Sequence, residues 1–131
     1  MPGPIFYVDR SEIGPGNLPE VRAKQRDLVA FIEANEPQLV AYGFFVDEAS
    51  STMTVVAVHP DSASMQLHMD IGGPKFREFS PLITLTSIDV YGAPSETVLG
   101  QLREKAEMLG GATVTVHALT AGFTRLPQPQ T

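Results

Sequence analysis

Residues 39–46 (LVAYGFFV) constrain the fold more than any other segment, because they are apolar at both sets of positions that alternate along a strand. A strand whose sheet has one face in water alternates apolar with polar side chains. Here both faces are apolar. One face carries Val40, Tyr42, Phe44 and Val46, and the other carries Leu39, Ala41 and Phe45. Both faces of this strand therefore need cover from other parts of a folded assembly.

Strand and helix patterns follow one another in an order that predicts a fold class. Strands are expected at residues 5–9, 39–46, 53–59, 84–91 and 113–119. Helices are expected at 17–35, from 61 onward and at 95–109, with Asn17 and Ser95 as N-caps. We expect Gly72-Gly73-Pro74 to break the middle helix, with a second helical piece from residue 75 to about 82. The order predicts an α+β, ferredoxin-like βαββαβ fold with an added C-terminal helix and strand.

The chain of 131 residues has the length of one domain. We expect a single domain over residues 1–126, with a core at 5–91 and an extension at 92–126, followed by a flexible tail at 127–131. The helices of the core can form only one layer. A second copy of the chain is therefore expected to cover the other face of the sheet in a homodimer.

Composition argues against several classes of partner and chemistry. The net charge is −6 and the nine basic residues form no stripe, so no nucleic-acid partner is expected. No segment approaches the ~20 apolar residues of a membrane helix, and the start lacks a signal-peptide pattern. With no cysteine in the chain, these features favour a cytoplasmic protein without a membrane partner. No nucleophile or phosphate-loop motif occurs, and neither a cofactor nor a metal is expected.

Several short motifs resemble, in order and spacing, the antibiotic biosynthesis monooxygenase family. Residues 35–44 (NEPQLVAYGF) resemble its E-P-G-x-x-x-Y-x segment, and residues 47–48 with 54–58 resemble the D-E turn and hairpin strand that follow. Residues 61–68 (DSASMQLH) are similar to its D-x-x-A-x-x-x-H helix start, and residues 74–76 (PKF) resemble its S-P-x-F piece. The resemblance covers about residues 5–90.

This resemblance implies a ferredoxin-like fold whose sheets meet in a dimeric α/β barrel. Some members of the family oxidise aromatic polyketides or quinols with dioxygen and no cofactor, and some relatives degrade haem. The haem-degrading branch uses an Asn on the first strand and a Trp, whereas this chain has Tyr7 and Asp9 there and no Trp. Haem degradation is therefore not expected. The family often has an aromatic residue, commonly Trp, where His59 stands here.

His68 is the candidate catalytic residue. It shares one helix face with Met65 and Met69, which are three residues before it and one after it. Facing the sheet, it could hydrogen-bond a ligand's carbonyl or phenol, or move a proton near neutral pH. The family resemblance also places a histidine at this position. The alternative is a structural histidine bonded to a backbone carbonyl in a methionine-lined core.

The other candidate residues are expected to bind a small aromatic ligand beside His68. They are Tyr7, Tyr42, His59, Met65, Met69, Phe76 and Arg77. The two tyrosines would donate hydroxyl hydrogen bonds, His59 would line the mouth of the pocket, and Arg77 would bind an anionic group. The alternatives are that Tyr42 packs in a dimer interface, that His59 lies in a surface turn, and that Arg77 is solvated or paired with Glu78.

Two functions follow from these residues, because a fold does not determine activity. One is an enzyme that resembles cofactor-independent monooxygenases acting on small aromatic or quinol-type substrates. The other is a non-catalytic dimer that binds a small apolar ligand without turning it over. A third possibility, a structural protein with a filled core, would be favoured if Met65, Met69 and Phe76 packed solidly against the sheet.

Overall fold

A computed structural model describes residues 3–126, which form a five-stranded sheet and three helices. The elements in chain order are β1 (Ile5–Ile13), α1 (Leu18–Asn35), β2 (Ala41–Asp47), β3 (Thr52–His59), α2 (Ser62–Phe76), β4 (Ile83–Tyr91), α3 (Glu96–Met108) and β5 (Thr113–His117). A short 3₁₀ turn, Arg77–Phe79, follows α2. The tail expected at 127–131 lies outside the described residues.

The strand order β2-β3-β1-β4-β5 confirms the predicted fold class. β1 lies between β3 and β4 and pairs antiparallel with both, and β2 pairs antiparallel with β3. These four strands with α1 and α2 are the ferredoxin-like unit. The extension continues through α3 to β5, which pairs parallel with β4 because a helical crossover returns the chain in the same direction.

One face of the sheet carries the core. Along β1, alternate residues are buried, and Tyr7, Asp9 and Ser11 lie between Ile5 and Ile13 on this face. All three helices contribute to the same apolar cluster, including Val21, Leu28 and Ile32 from α1, Met65, Met69 and Phe76 from α2, and Val98, Leu102 and Ala106 from α3. α3 therefore joins the helical layer beside α2, which it contacts directly.

The other face of the sheet has no helix over it within the described chain. Phe6, Val8, Val56 and Val58 are half-buried there by their neighbours in the sheet, and the side chain of Phe45 is 60% exposed. This face also carries polar groups near β5, where Asp89 bonds His117 at 2.8 Å. The two-sided apolar character of β2 thus has cover on one side only within a single chain.

The predicted break at Gly72-Gly73-Pro74 is wrong, because α2 continues through all three residues to Phe76. Pro74 lies inside the helix near its C-terminal end and removes one backbone N–H donor, a cost that burial of the helix face offsets. Packing explains the glycine at position 72, because a Cβ there would lie 2.6 Å from Cζ of the Phe76 ring. The ring covers Gly72, and the helix is held by burial of its apolar face.

The side chain of Asn17 also departs from its predicted role. It makes no capping bond to α1; its Nδ2 donates to the Leu82 carbonyl oxygen at 3.1 Å and joins the start of the helix to the loop before β4. The predicted cap Ser95 does accept a bond from the Val98 amide at 3.2 Å. Asp61 caps α2 in the same way, through the Ser64 amide at 2.8 Å.

Candidate functional site

Seven of the polar side chains buried between the helices and the sheet hydrogen-bond to one another, and we call them the buried polar cluster: Tyr7, Asp9, Glu36, His59, Ser64, His68 and Lys105. They come from β1, the end of α1, the end of β3, α2 and α3. Buried polar and charged groups are costly unless they are paired. The contacts within the cluster divide it into three groups.

The first group is a hydrogen-bonded pair, His68 Nδ1 to Glu36 Oε1 at 2.8 Å. Glu36 directly follows α1, and its amide donates to the Ile32 carbonyl at 2.8 Å, so the end of the helix holds this residue in place. Both side chains are almost completely buried. The second oxygen of Glu36 has no partner among residues 3–126, so His68 is the neighbour that compensates the buried carboxyl.

Burial lowers the pKa of His68 below its usual 6.5, and the Lys105 charge acts in the same direction. The hydrogen bond to Glu36 and its charge oppose this shift. An ionised carboxylate can only accept, so the proton of a neutral His68 belongs on Nδ1. The lone pair is then on Nε2, and a neutral, oriented imidazole of this kind can act as a base at neutral pH.

The second group joins the end of β3 to the first turn of α2. His59 Nδ1 lies 2.8 Å from Ser64 Oγ, and Ser64 is one helical turn before His68. The two imidazole rings are 5.4 Å apart between centroids. Burial and the neighbouring His68 together lower the pKa of His59 to about 3, so this ring is neutral under ordinary conditions.

The third group is a triad of Tyr7, Asp9 and Lys105. The Tyr7 hydroxyl donates to Asp9 Oδ2 at 2.5 Å. Lys105 Nζ donates to the Tyr7 oxygen at 2.9 Å and to the same Asp9 oxygen at 3.2 Å. Burial raises the pKa of Tyr7 well above 10.0, and the charge of Asp9 and the hydrogen bond to Asp9 act in the same direction. The triad therefore holds one positive charge, one negative charge and a neutral phenol.

Aromatic rings fill the space between these groups. Tyr42 on β2 makes an edge contact with His68, with ring centroids 5.2 Å apart. Burial raises the pKa of the Tyr42 phenol, and the charges of Asp9 and Glu36 raise it further. Phe76 contacts His68, at 5.2 Å between centroids. Lys105 Nζ lies over the Phe76 ring, 4.3 Å from its centroid. Phe76 thus contacts both the His68 pair and the Lys105 triad.

The space inside this layer is small. A cavity of about 20 Å³ lies between the helices and the sheet, and Asp9, Tyr42, Phe76 and Lys105 are among its lining residues. That is room for about one water molecule. A cleft of about 550 Å³ opens between α2 and α3, and a groove of about 300 Å³ runs between the end of α1 and β2.

The structure brings most of the sequence-predicted site residues together. The rings of three of them contact or neighbour His68: Tyr42, His59 and Phe76. Tyr7 belongs to the triad with Asp9 and Lys105, and Met65 is buried in the core. Met69 is also buried and lines the cleft between α2 and α3. Arg77 does not join the cluster: it lies exposed on the 3₁₀ turn at the side of that cleft.

Sequence reasoning missed Asp9, Glu36, Ser64 and Lys105 as members of the cluster. Two of them left a signal. Asp9 is a carboxylate in the buried alternation of β1. Lys105 lies in the apolar stripe of α3, three residues after Leu102 and four before Leu109, where a charge needs a buried partner.

Within residues 3–126, no three His, Asp or Glu side chains come together as a metal site. In the same part of the chain, no helix is long and apolar enough to cross a membrane.

No family model matches the chain, and no curated protein sequence matches it. Solved structures do. MupZ from Pseudomonas fluorescens has a TM-score of 0.72 at 17% identity, over 94% of this chain and 95% of that one. A candidate antibiotic biosynthesis monooxygenase from Caulobacter crescentus has 0.63 at 19%, over 72% and 92%. SnoaB, a cofactor-independent oxygenase from Streptomyces nogalater, has 0.59 at 17%, over 71% and 95%.

These likenesses establish the fold that the chain shares with the three proteins. At identities of 17–19% they do not carry residue roles from one chain to another. The match with MupZ covers a larger share of this chain than residues 5–91 can supply, so it includes parts of the C-terminal extension.

Proposed function

We propose that this protein is a cofactor-independent oxygenase of the antibiotic biosynthesis monooxygenase family, acting on a small aromatic or quinol-type substrate with His68 as the base. The observation that carries the proposal is the His68–Glu36 pair: a neutral imidazole with its proton held toward a buried carboxylate and its other nitrogen left for a substrate. The sequence motifs and the fold shared with SnoaB support it.

The proposed reaction converts a ring CH₂ that is activated by a neighbouring phenol or ketone into a carbonyl. His68 Nε2 takes one proton from the substrate and leaves a delocalised anion, which gives its electrons to dioxygen as a C–O bond forms. The peroxide then breaks its O–O bond as the second C–H proton moves to the departing oxygen. The hydroxide takes the proton from His68, so CH₂ and O₂ become C=O and H₂O.

The remaining candidate residues have supporting roles in this proposal. Tyr7 and Tyr42 keep their hydroxyl protons because their pKa values are raised, and Tyr42 can donate to the developing oxyanion. Phe76, Met69 and Met65 supply buried apolar surface for the substrate. His59 stays neutral and positions α2 through Ser64. Arg77 lies at the outer side, where it can meet an anionic group.

Oxygen uptake with a panel of hydroxyanthrones and hydroquinones tests the proposal. The sharpest variant is His68→Asn, because an asparagine amide can still donate toward Glu36 but has no basic Nε2. We expect it to lower the rate about 100-fold or more, in the range for loss of a general base. His117→Asn is the matched control, since His117 lies on the opposite face of the sheet and should leave the rate unchanged. Equal rates for His68→Asn and the unmodified protein would overturn the assignment.

The dimer is part of the same proposal. Phe45 and the half-buried Phe6, Val8 and Val56 lie on the sheet face that has no helix over it, and a second copy of this face would cover them in a dimeric α/β barrel. A cytoplasmic location is also proposed; it rests on the cysteine-free composition.

One observation favours the alternative function, a dimer that binds a small apolar ligand without chemistry. His68 lines neither the cavity of about 20 Å³ nor the groove of about 300 Å³ that reaches its neighbours Glu36 and Tyr42, so its imidazole is enclosed by side chains in this conformation. Saturable binding of a panel compound with a raised melting temperature and no oxygen uptake would select this alternative. Product formation that depends on His68 would exclude it.

A further inference from the structure

The site of ligand binding is a separate question from the identity of the base, and the volume and charge of the spaces around the cluster bear on it. A cavity of about 150 Å³ is the size that accepts a benzene ring. The interior cavity of about 20 Å³ is too small, whereas the cleft of about 550 Å³ between α2 and α3 and the groove of about 300 Å³ between α1 and β2 are both large enough. Within the described part of the chain, the groove is lined by Glu33 and Glu36 and by no cation, whereas Arg77 and Lys105 line the cleft, so an acidic aromatic ligand is better matched by the cleft.

The walls of the cleft suit a planar ring. Met69 lies on the α2 side and Met108 on the α3 side, and methionine side chains pack adaptably against aromatic faces. The α3 wall also includes Gln101, Glu104 and Lys105. Half of this cleft therefore belongs to the C-terminal extension, and the βαββαβ unit alone would not form it.

Phe76 and Lys105 line both the cleft and the interior cavity, so they form the partition between the two spaces. Lys105 Nζ has three N–H groups. Two of them donate to Tyr7 and Asp9, and the ammonium also lies against the face of the Phe76 ring. A shift of Phe76 would expose the remaining donor to the cleft and open a path toward His68, which touches the same ring.

Two cations line the cleft. Arg77 is exposed at its outer side, whereas Lys105 also lines the interior cavity and so stands at the inner side, and Asp70 accepts a hydrogen bond from Gln101 at 2.7 Å. An acidic phenol or enolised ketone carries the partial or full negative oxygen that an ammonium group binds.

We propose that the cleft between α2 and α3 is the binding site of the aromatic substrate, with Lys105 binding its acidic oxygen and Phe76 as the movable wall toward His68. This inference rests on the proposed function for the class of ligand. It gives the C-terminal extension the role of building half of the site.

The test measures binding of a dihydroxyanthraquinone, a probe already oxidised at the reacting carbon and so not consumed. Gly73 lines the cleft, and apart from its neighbour Pro74 a Cβ there would meet nothing within 4 Å, so Gly73→Leu adds a side chain at the wall of the cleft. Gly100 on α3 has equally open space and does not line the cleft, so Gly100→Leu is the matched control. We expect Gly73→Leu to weaken binding about tenfold or more and Gly100→Leu to leave it unchanged.

A second measurement tests Lys105 itself. The variant Asp9→Asn/Lys105→Met removes both charges of the pair together, so that no single buried charge remains. The unmodified protein should bind the dihydroxyanthraquinone more tightly than anthraquinone, which has no acidic hydroxyl, and the double variant should lose this preference. A preference that survives in the double variant would overturn the role of Lys105.

The proposal of the cleft fails if the unmodified protein shows no saturable binding of the probe at about 1 mM, a very weak affinity. It also fails if Gly73→Leu and the unmodified protein bind equally. These results are separable from failure of the proposed oxygenase. Probe binding in the cleft without oxygen uptake would support the binding site and contradict the oxygenase activity. Oxygen uptake that depends on His68 but is unaffected by Gly73→Leu would support the activity and contradict the binding site.

Discussion

At the scale of single residues, the unusual property of this protein is the number of ionisable groups within its core. His59, His68, Glu36, Asp9 and Lys105 are all less than 9% exposed. Carboxylate partners hold His68 and Lys105, while His59 is neutral because of its surroundings. Such arrangements are costly for stability and are found more often at functional sites than elsewhere, which agrees with the proposal for His68.

His59 should make the stability of the protein depend on pH. Its pKa is about 3 in the folded protein and 6.5 when unfolded, so between these values the unfolded chain binds more protons. The free energy of unfolding should therefore fall as the pH drops below about 6.5, by at most about 1.4 kcal/mol per pH unit, until the pH reaches about 3. Urea unfolding across this range measures the slope.

The matched variant for this prediction is His59→Asn, which keeps a polar group near Ser64 but does not titrate. The difference in unfolding free energy between the two proteins should change with pH over this window and be constant above it. A constant difference throughout would show that His59 does not titrate as described.

Lys105 should be important for stability as well as for ligand binding. Lys105→Met leaves Asp9 buried without its cation, and removal of one partner from a buried ion pair costs about 3–5 kcal/mol. Adding Asp9→Asn should recover part of this loss, because it removes the uncompensated charge. Lys24→Met is the control, since the Lys24–Glu78 pair is at the surface and its loss should cost less than about 1 kcal/mol. Chemical denaturation compares the four proteins, and equal losses for the two lysine variants would contradict the prediction.

At the scale of the elements, α2 is the helix on which the site depends. It carries Ser64, His68, Met69 and Phe76, and it keeps them in register because it does not break at Gly72-Gly73-Pro74. A break there would have separated Phe76 from His68. Burial of the helix against the sheet and α3 outweighs the weak helix propensity of two glycines and a proline.

The two adjacent glycines of α2 should respond differently to the same substitution. Gly72→Ala places a Cβ 2.6 Å from the Phe76 ring and should cost about 1–3 kcal/mol, because the buried ring must move. Gly73→Ala meets open space except for its neighbour Pro74, whose ring disfavours a Cβ on the preceding helical residue, so the gain in helix propensity is offset and stability should change by less than about 1 kcal/mol. Thermal and urea unfolding of both variants measure these effects, and destabilisation of similar size at both positions would contradict the packing of Phe76 on Gly72.

At the scale of the whole molecule, the helices of residues 3–126 cover one face of the sheet and leave the other open. β2 was expected to need cover on both faces. In a single chain one face stays uncovered, and Phe45 on that face is 60% exposed. The extension does not supply the second cover, since α3 packs on the already covered face and β5 lies along the edge of β4.

The proposed dimer predicts a specific response to charge on this open face. Phe45→Glu replaces the most exposed aromatic ring of the open face, on the edge strand β2, with a carboxylate and should weaken self-association about tenfold or more. Leu67→Glu is the control, because Leu67 is 41% exposed on the outer side of α2 and away from the sheet. Sedimentation velocity over a range of concentrations measures both. A protein that sediments as a monomer without any substitution would contradict the dimer.

Part of the candidate site could be predicted from the sequence. His68 follows from its helix face with Met65 and Met69, and Tyr7 and Tyr42 follow from strand alternation, because these features depend on neighbours a few residues away. The partner of His68, Glu36, is 32 residues away, and Lys105 is 98 residues from Tyr7. Nothing in the local pattern says which buried charge meets which.

The sequence by itself determined the order of strands and helices, their approximate bounds and the apolar faces, since turn residues, caps and periodicity act within one element. The tertiary structure alone decided that α2 runs unbroken, that α3 joins the same layer, and that Glu36, Asp9 and Lys105 enter the cluster with His68 close by. The physical reason is that pairing of buried charges and burial of a helix face are gained only when distant segments pack together, and these gains can exceed local propensities of about 1 kcal/mol per residue.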